Sequence, residues 1–520
     1  MREKAVFWVL FAVYFISGLA LLLLSDFWTD ETWYFTGSSY VASGKVPYLD
    51  FFAHHNPLFY YIYALPQSLF GPDFIVGRLT SLVIMMLMFV LVWRLARRLD
   101  GKVAAYIAAG LLITNLFAMY YFTSFSYRIL EAFLMVAFFT ILFGNLKGTI
   151  KYPLATFLLC LVVGVRYPVD FISGLLVLFL VYIAYSQWRS KRIILLSLSV
   201  AVLTLAAIYL PFLLSAREQF LFGTIDLPFL RKNFDIEFGV AKEVSLLYRI
   251  YNPLQVLAEV FQRFYAVVAI IFGLAVYLGW KIRKREVYIK EVVPKYKSLV
   301  FLSVFIILYE VFAAAAPDSS VGLRSITFPA AVIVAGVGLS RVIVGVKDGS
   351  TIALYSLIIA MIVISPFAQG FESGRPPLTW GKTDNYRIKE VAARIEAHTE
   401  EGDKILTFAP VFAVQAGREL LPGTEMETYS FFPTWETERS RKLNLMNASM
   451  LLGYISSKEA DAVVLTDGRF FSGAGQGKIL DKYRPEILRV LDENYRLAET
   501  ISNPSKAIRG IVYIYLPRHE

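Results

Sequence analysis

An apolar run from Ala5 to Leu24, led by Arg2 and Lys4, is long enough to cross a membrane. A bilayer core is roughly 30 Å thick and a helix rises about 1.5 Å per residue. Comparable runs recur at about 76–95, 102–122, 128–146, 153–166, 168–186, 193–214, 257–280, 298–316, 323–345 and 351–368, making eleven in all. Hydrophobic residues make up 57% of the chain and charged residues only 18%. A soluble domain sits near 45–50% and about 25%. The chain is therefore expected to be an α-helical polytopic membrane protein with about 11 transmembrane helices.

Basic residues fall in alternate connectors. They are Arg94, Arg97, Arg98 and Lys102; Lys147 and Lys151; Arg189, Lys191 and Arg192; Lys281, Arg283, Lys284, Arg285, Lys290, Lys295 and Lys297; and Arg341 and Lys347. Short loops rich in Lys and Arg stay in the cytoplasm, so these connectors and the N-terminus are expected on that side. The first outer loop then runs over about 25–75, a second over about 215–256, and the segment 371–520 also lies outside. The first span has the charge pattern of a signal peptide. Its apolar core is too long for one and no small-residue cleavage site follows, so it is expected to be retained. Arg166 and Pro168 break a run that would otherwise be too long for one helix.

The net charge of +10 belongs to residues before Arg375, because basic and acidic residues balance from there to the end. A basic patch on a soluble domain is the footprint of a nucleic-acid binder, so nucleic acid is excluded as a partner. Cys160 is the one cysteine and lies in an apolar run, which reads as packing. Segment 371–520 reads as an α/β domain following a membrane domain over 1–370. Its periodicity predicts helices over Asn385–His398 and Thr437–Ser457. Strands are predicted at Lys404–Ala409, Ala462–Thr466, Tyr495–Ile501 and Gly510–Leu516. Gly473, Gly475 and Gly477 read as a flexible loop rather than a nucleotide fingerprint.

The candidate chemistry sits just beyond the first span. Asp30 and Glu31 are adjacent acids at its water-facing exit, among Trp28, Trp33, Tyr34 and Tyr40. The aromatic residues suit an amphipathic stretch in the headgroup region. A carboxylate there can act as general base on an acceptor hydroxyl while its neighbour binds an acceptor, a metal or the base itself. The bland alternative is a solvated pair capping the next helix. Farther along come Gly44-Lys45-Val46-Pro47-Tyr48 and His55-Asn56-Pro57-Leu58, then Gly77-Arg78-Leu79. Arg128, Arg166 and Arg324 stand at span ends, where burying a cation is expensive. Each could snorkel to the headgroups, or together they could hold a phosphate.

The acidic pair, Gly-x-x-Pro-Tyr, His-x-Pro-Leu and Gly-Arg-Leu, in this order, resemble the C-type (GT-C) glycosyltransferases. Protein O-mannosyltransferases and the lipid A aminoarabinose transferase are the nearest in kind. The resemblance covers roughly the first 190 residues well and the rest of the membrane part loosely. It implies an inverting transferase that moves a monosaccharide from a polyprenyl-phosphate (dolichyl-phosphate-type) donor to an acceptor hydroxyl on the outer face. The acceptor is a protein, a glycan or a lipid. Asp30 maps onto the catalytic base and Glu31 onto the second acid. Tyr48, His55, Arg78, Arg128, Glu131, Arg166 and Arg324 are implied to bind substrate. Glu131 fills a place where the family usually has Asp, which alters reach. The resemblance implies no cofactor; a divalent metal shared by His55 and the acidic pair is the alternative. A lipid or sugar transporter and a non-catalytic assembly factor are the other function classes open to such a chain.

Overall fold

The computed structural model describes residues 2–27, 30–166, 171–227, 258–284, 296–315, 324–345, 383–467, 482–502 and 510–518, with isolated positions 230, 237, 255 and 480. The apolar runs form helices. In order these are α1 (Arg2–Leu24), α2 (Glu31–Ala42), α3 (Pro57–Phe70), α4 (Phe74–Thr114), α5 (Leu116–Thr123), α6 (Tyr127–Leu142), α7 (Gly148–Val165), α8 (Phe171–Ser186), α9 (Lys191–Ser215), α10 (Arg217–Leu221), α11 (Tyr265–Arg283), α12 (Lys297–Ala315) and α13 (Phe328–Gly345). By length and composition, five described helices could each cross a membrane, or six if the bent pair α5–α6 counts as one span. The expected run 351–368 lies outside the described residues, as do Tyr167, Pro168 and the loop around Gly473–Gly477.

Two breaks shape the bundle. α4 holds one expected span and the first part of the next in one 41-residue element, whose backbone leaves the helix at Asp100 and Gly101. The run expected over 102–122 is interrupted at Asn115 and ends in α5. Gly101 sits at φ 80, which glycine adopts without steric penalty. Arg341 of α13 pairs with Asp100 at 2.9 Å at that break. α13 lies close along α4 because Gly336 has no side chain: a Cβ there would stand 2.7 Å from the Ala104 carbonyl oxygen. The second break turns α5 into α6 through 106°. Ser126 caps α6 by accepting from Arg128 N at 3.2 Å. This turn presents Tyr127, Arg128 and Glu131 together at the start of α6.

Of the amphipathic stretch expected around Trp28–Tyr40, the described residues 30–40 are mostly covered. α2 buries Glu31, Thr32 and the run Tyr34–Tyr40, because α3 and the C-terminal region pack over it. α3 instead shows an apolar stripe, with Tyr61, Leu65 and Leu69 exposed at four-residue spacing.

The C-terminal region begins with α14 (Asp384–Glu396) and builds a five-stranded sheet. Its strands are β1 (Lys404–Thr407), β2 (Glu419–Leu420), β3 (Ala462–Thr466), β4 (Tyr495–Ser502) and β5 (Ile511–Pro517), in the order β2-β1-β3-β5-β4. β1 runs parallel to β2 and β3, whereas β5 is antiparallel to β3 and β4. The single helix expected over Thr437–Ser457 is two, Thr437–Lys442 and Ala448–Ser456. Asn444 at φ 55 ends the first, and the Asn447 side chain caps the second by accepting from Met450 N at 2.7 Å. Asn444 then donates to the Tyr48 carbonyl at 2.8 Å, so the interruption fastens this region to the loop after α2. Further ties are Phe27 N to Asp384 at 3.2 Å, Asn385 to the Leu22 carbonyl at 3.0 Å and Phe74 N to Gln415 at 3.1 Å.

Candidate active site

The two adjacent acids meet different surroundings. Asp30 occupies the N-cap position of α2 and is partly exposed; its carbonyl accepts from Trp33 N at 3.2 Å and Tyr34 N at 3.3 Å. Glu31 is fully buried. Arg78 grips it with a fork, Nε to Oε2 at 2.9 Å and Nη2 to Oε1 at 2.8 Å. Phe125 N, from the turn between α5 and α6, adds a third bond to Oε2 at 2.7 Å. Arg78 also donates to the carbonyls of Leu22 at 3.0 Å and Ser25 at 3.3 Å. Its side chain is 1% exposed. The expectation that Glu31 works beside the base and that Arg78 holds a donor phosphate meets a structure in which the two hold each other. Together they join the end of α1 to α2 and α4.

His55 is placed by a braced loop. Tyr48, at φ 68 and fully buried, donates its hydroxyl to the His55 carbonyl. The Tyr48 ring packs edge-on against Phe212 and Phe220 at 5.3 and 5.0 Å. Asn56 reaches the Tyr209 hydroxyl at 2.8 Å and starts α3 ahead of Pro57. Tyr48 therefore supports the loop from behind. The His55 ring lies 5.1 Å from Tyr34 and 5.3 Å from Tyr127. Burial holds the His54 imidazole down to about 3. The same desolvation, then His54, Arg166 and Arg128, keeps His55 well below its ordinary value. Both rings are neutral at physiological pH, so His55 offers hydrogen bonds and an aromatic face.

Tyr127 is the hub that sequence reading did not single out. The Arg128 guanidinium lies 5.8 Å from its ring and 4.5 Å from that of Tyr121, within electrostatic reach of Asp30. Arg166 caps α7, 5.7 Å from the Tyr127 ring on another side. Its Nη1 stands 3.8 Å from Glu131 Oε1 and donates to the Tyr309 hydroxyl at 3.1 Å. Asp30, His55, Arg128, Glu131 and Arg166 are thus brought together.

Arg324 is buried and bonds Glu310 at 3.1 Å, which also accepts from Thr327 at 2.8 Å. Arg166 and Arg324 are therefore attached to consecutive residues of α12, Tyr309 and Glu310. Beside Arg324 opens a cavity of about 350 Å³, walled by Phe264, Val267, Ile271, Phe272, Ile306 and Phe328. Its lining is apolar apart from Glu310, Arg324 and Thr327. Glu310 carried a signal that the sequence reading passed over: an acid inside an apolar span marks function by default. Among the described residues, no group of three or more His, Cys, Asp or Glu side chains could hold a metal ion.

Residues 54–213 match the family described as dolichyl-phosphate-mannose-protein mannosyltransferase. The structure aligns with ArnT from Cupriavidus metallidurans at a TM-score of 0.62 and 14% identity, over 98% of this chain and 98% of that one. The fold is that of the C-type glycosyltransferases. ArnT bound to undecaprenyl phosphate aligns at 0.62 and 13% identity, over 97% of this chain and 96% of that one. The Archaeoglobus fulgidus oligosaccharyltransferase, in complex with zinc and sulfate, aligns at 0.55 and 13% identity over 98% of this chain and 73% of that chain. Curated proteins give no sequence match. Within this fold, Asp30 is a partly exposed carboxylate within electrostatic reach of Arg128, in the cluster that also holds Arg166.

Proposed function

We propose that the chain is an inverting glycosyltransferase that moves a monosaccharide from a polyprenyl phosphate to an acceptor hydroxyl at the outer face of the membrane. The observation that carries this reading is the division of the acidic pair. Glu31 is consumed by Arg78, while Asp30 stays partly exposed beside Arg128 and the Tyr127–His55–Arg166 cluster. Asp30 takes the proton of the acceptor hydroxyl as its oxygen attacks the anomeric carbon. The bond from that carbon to the phosphate oxygen breaks, and its electron pair stays on the departing polyprenyl phosphate. Arg128 and Arg166 stabilise the charge that builds there, so no general acid is required. Arg324 and the apolar cavity beside it suit the first part of the polyprenyl chain. The undecaprenyl phosphate bound by ArnT supports a lipid phosphate as the donor class. The alternation of basic connectors supports the outer orientation of this end.

Purified protein in detergent, given polyprenyl phosphates carrying labelled hexoses or pentoses and an acceptor extract, should move label off the lipid. Asp30→Asn should reduce transfer by on the order of 10²–10⁴ while donor binding persists. Near-normal turnover by that variant would overturn the assignment.

A further inference from the structure

We infer that the C-terminal region completes the catalytic centre, with Glu427 a positioning residue that fixes the first turn of α2 and so aims Asp30. This inference rests on Asp30 being the base.

After Asp30, each residue of that turn is held from outside α2. Glu31 is forked by Arg78 of α4. Thr32, fully buried, donates its hydroxyl to Glu427 Oε1 at 2.5 Å, across 395 residues of sequence. Trp33 stacks on Tyr429 with ring centroids 5.2 Å apart, and Tyr429 also lies 5.1 Å from His54. Two of these three clamps come from the short helical turn Glu427–Ser430 of the C-terminal region. Asp30, the fourth member of the turn, remains partly exposed.

Glu427 is an unfavourable choice for the C-terminal region alone. It sits at φ 55, where side chains with a Cβ are disfavoured and glycine is at ease. Its side chain is fully buried, which is costly for a carboxyl group. Local strain and a buried acid persist where the surroundings over-determine them, and such positions cluster at functional sites. Here the surroundings are the N-terminus of α2, whose dipole favours a carboxylate. The rest of the turn is anchored on the C-terminal side: Ser430 donates to the Glu427 carbonyl at 2.9 Å and to the Gly423 carbonyl at 2.7 Å. Glu427 therefore transmits the position of one region to the base of the other.

The test uses the full chain and the labelled donor that the wild type consumes. Glu427→Ala and Thr32→Val, the second nearly isosteric, should each lower kcat on the order of tenfold with donor KM within about twofold, because a misaimed base loses rate rather than affinity. Glu427→Gln keeps an acceptor for Thr32 and should retain most of the rate. Combining Thr32→Val with Glu427→Ala should be no worse than either alone, since both remove one interaction. Should Glu427→Ala fail to fold, Thr32→Val against Glu427→Gln still decides. Wild-type kcat in Thr32→Val, with Asp30→Asn inactive, would overturn this inference alone. Normal turnover in Asp30→Asn would overturn the functional reading along with it.

Discussion

Glu31–Arg78 and Glu131–Arg166 are the same chemistry in two settings. In the first, forked bonds of 2.8 and 2.9 Å join side chains that are 0% and 1% exposed. In the second, the closest approach is 3.8 Å, Glu131 is buried and the Arg166 side chain is 18% exposed. A short, dry, bidentate pair commits its charges to each other and becomes scaffold. A long pair with one accessible partner keeps a guanidinium able to turn towards an anion. Charge and position along the span do not separate the two cases; distance and water access do.

Breaking the closed pair should have the largest effect. Removing one partner leaves a charge in the interior, at a cost of about 3–5 kcal/mol. Arg78→Ala should therefore sharply lower the yield and unfolding temperature of the protein in detergent, and Glu31→Gln should act in the same direction. Arg166→Ala, which opens a longer contact to Glu131, should lower the unfolding temperature by less than Arg78→Ala. An Arg78→Ala protein as stable as the wild type would erase the contrast.

Glu425 shows what an acid does when buried without an arginine. It is 3% exposed, and its Oε2 accepts from Gly423 N at 2.9 Å. Burial raises its pKa to about 7, against the smaller pull of backbone bonds and Lys45. The folded state thus binds a proton that the unfolded state gives up near pH 4.5. Stability is full below that pH and is lost as pH rises through about 7. The linked cost at higher pH is on the order of 3 kcal/mol. Glu425→Gln should unfold at a higher temperature than the wild type at pH 8, with the gap closing by pH 4.5. Parallel unfolding curves across that range would show that Glu425 is not held protonated.

The placement of the candidate acids was legible in the sequence: an acidic pair after an apolar run sits at a span's end, and Asp30 and Glu31 do stand just past α1. Helices also stand at the apolar runs up to 345, with breaks at Asp100–Gly101 and Ser124–Ser126 and one inside the run expected over 102–122, at Asn115. The different settings of Asp30 and Glu31 were not legible. They depend on Arg78, 47 residues on, and on a 106° bend that brings Phe125 N to the same carboxylate. Tyr309 looked like any aromatic residue in a span, and only packing brings it to Arg166. The interruption near Asn444 was hidden too, because helical periodicity continues across a residue whose side chain serves another region. Local chemistry leaves a trace in the sequence; pairings across hundreds of residues do not.

Opening the long pair further sharpens the comparison at the level of function. Arg166 approaches Glu131 no closer than 3.8 Å, so its removal should cost less stability than opening the forked pair, although Glu131 stays buried. What it removes is a guanidinium that stands 5.7 Å from the Tyr127 ring and donates to the Tyr309 hydroxyl. A charge-assisted hydrogen bond to a phosphate is worth about 1.5–3 kcal/mol, or on the order of 10–100-fold. Arg166→Ala should raise the donor KM by that factor, and kcat should fall too if the contact tightens as charge builds on the departing phosphate. Arg166→Lys should rescue little of the loss, because a point charge does not reproduce a planar fork. The control is the unfolding temperature, which should fall by less than in Arg78→Ala. If donor KM is unchanged in a stable Arg166→Ala protein, the open pair is scaffold like the closed one and the phosphate contact falls to Arg128 alone.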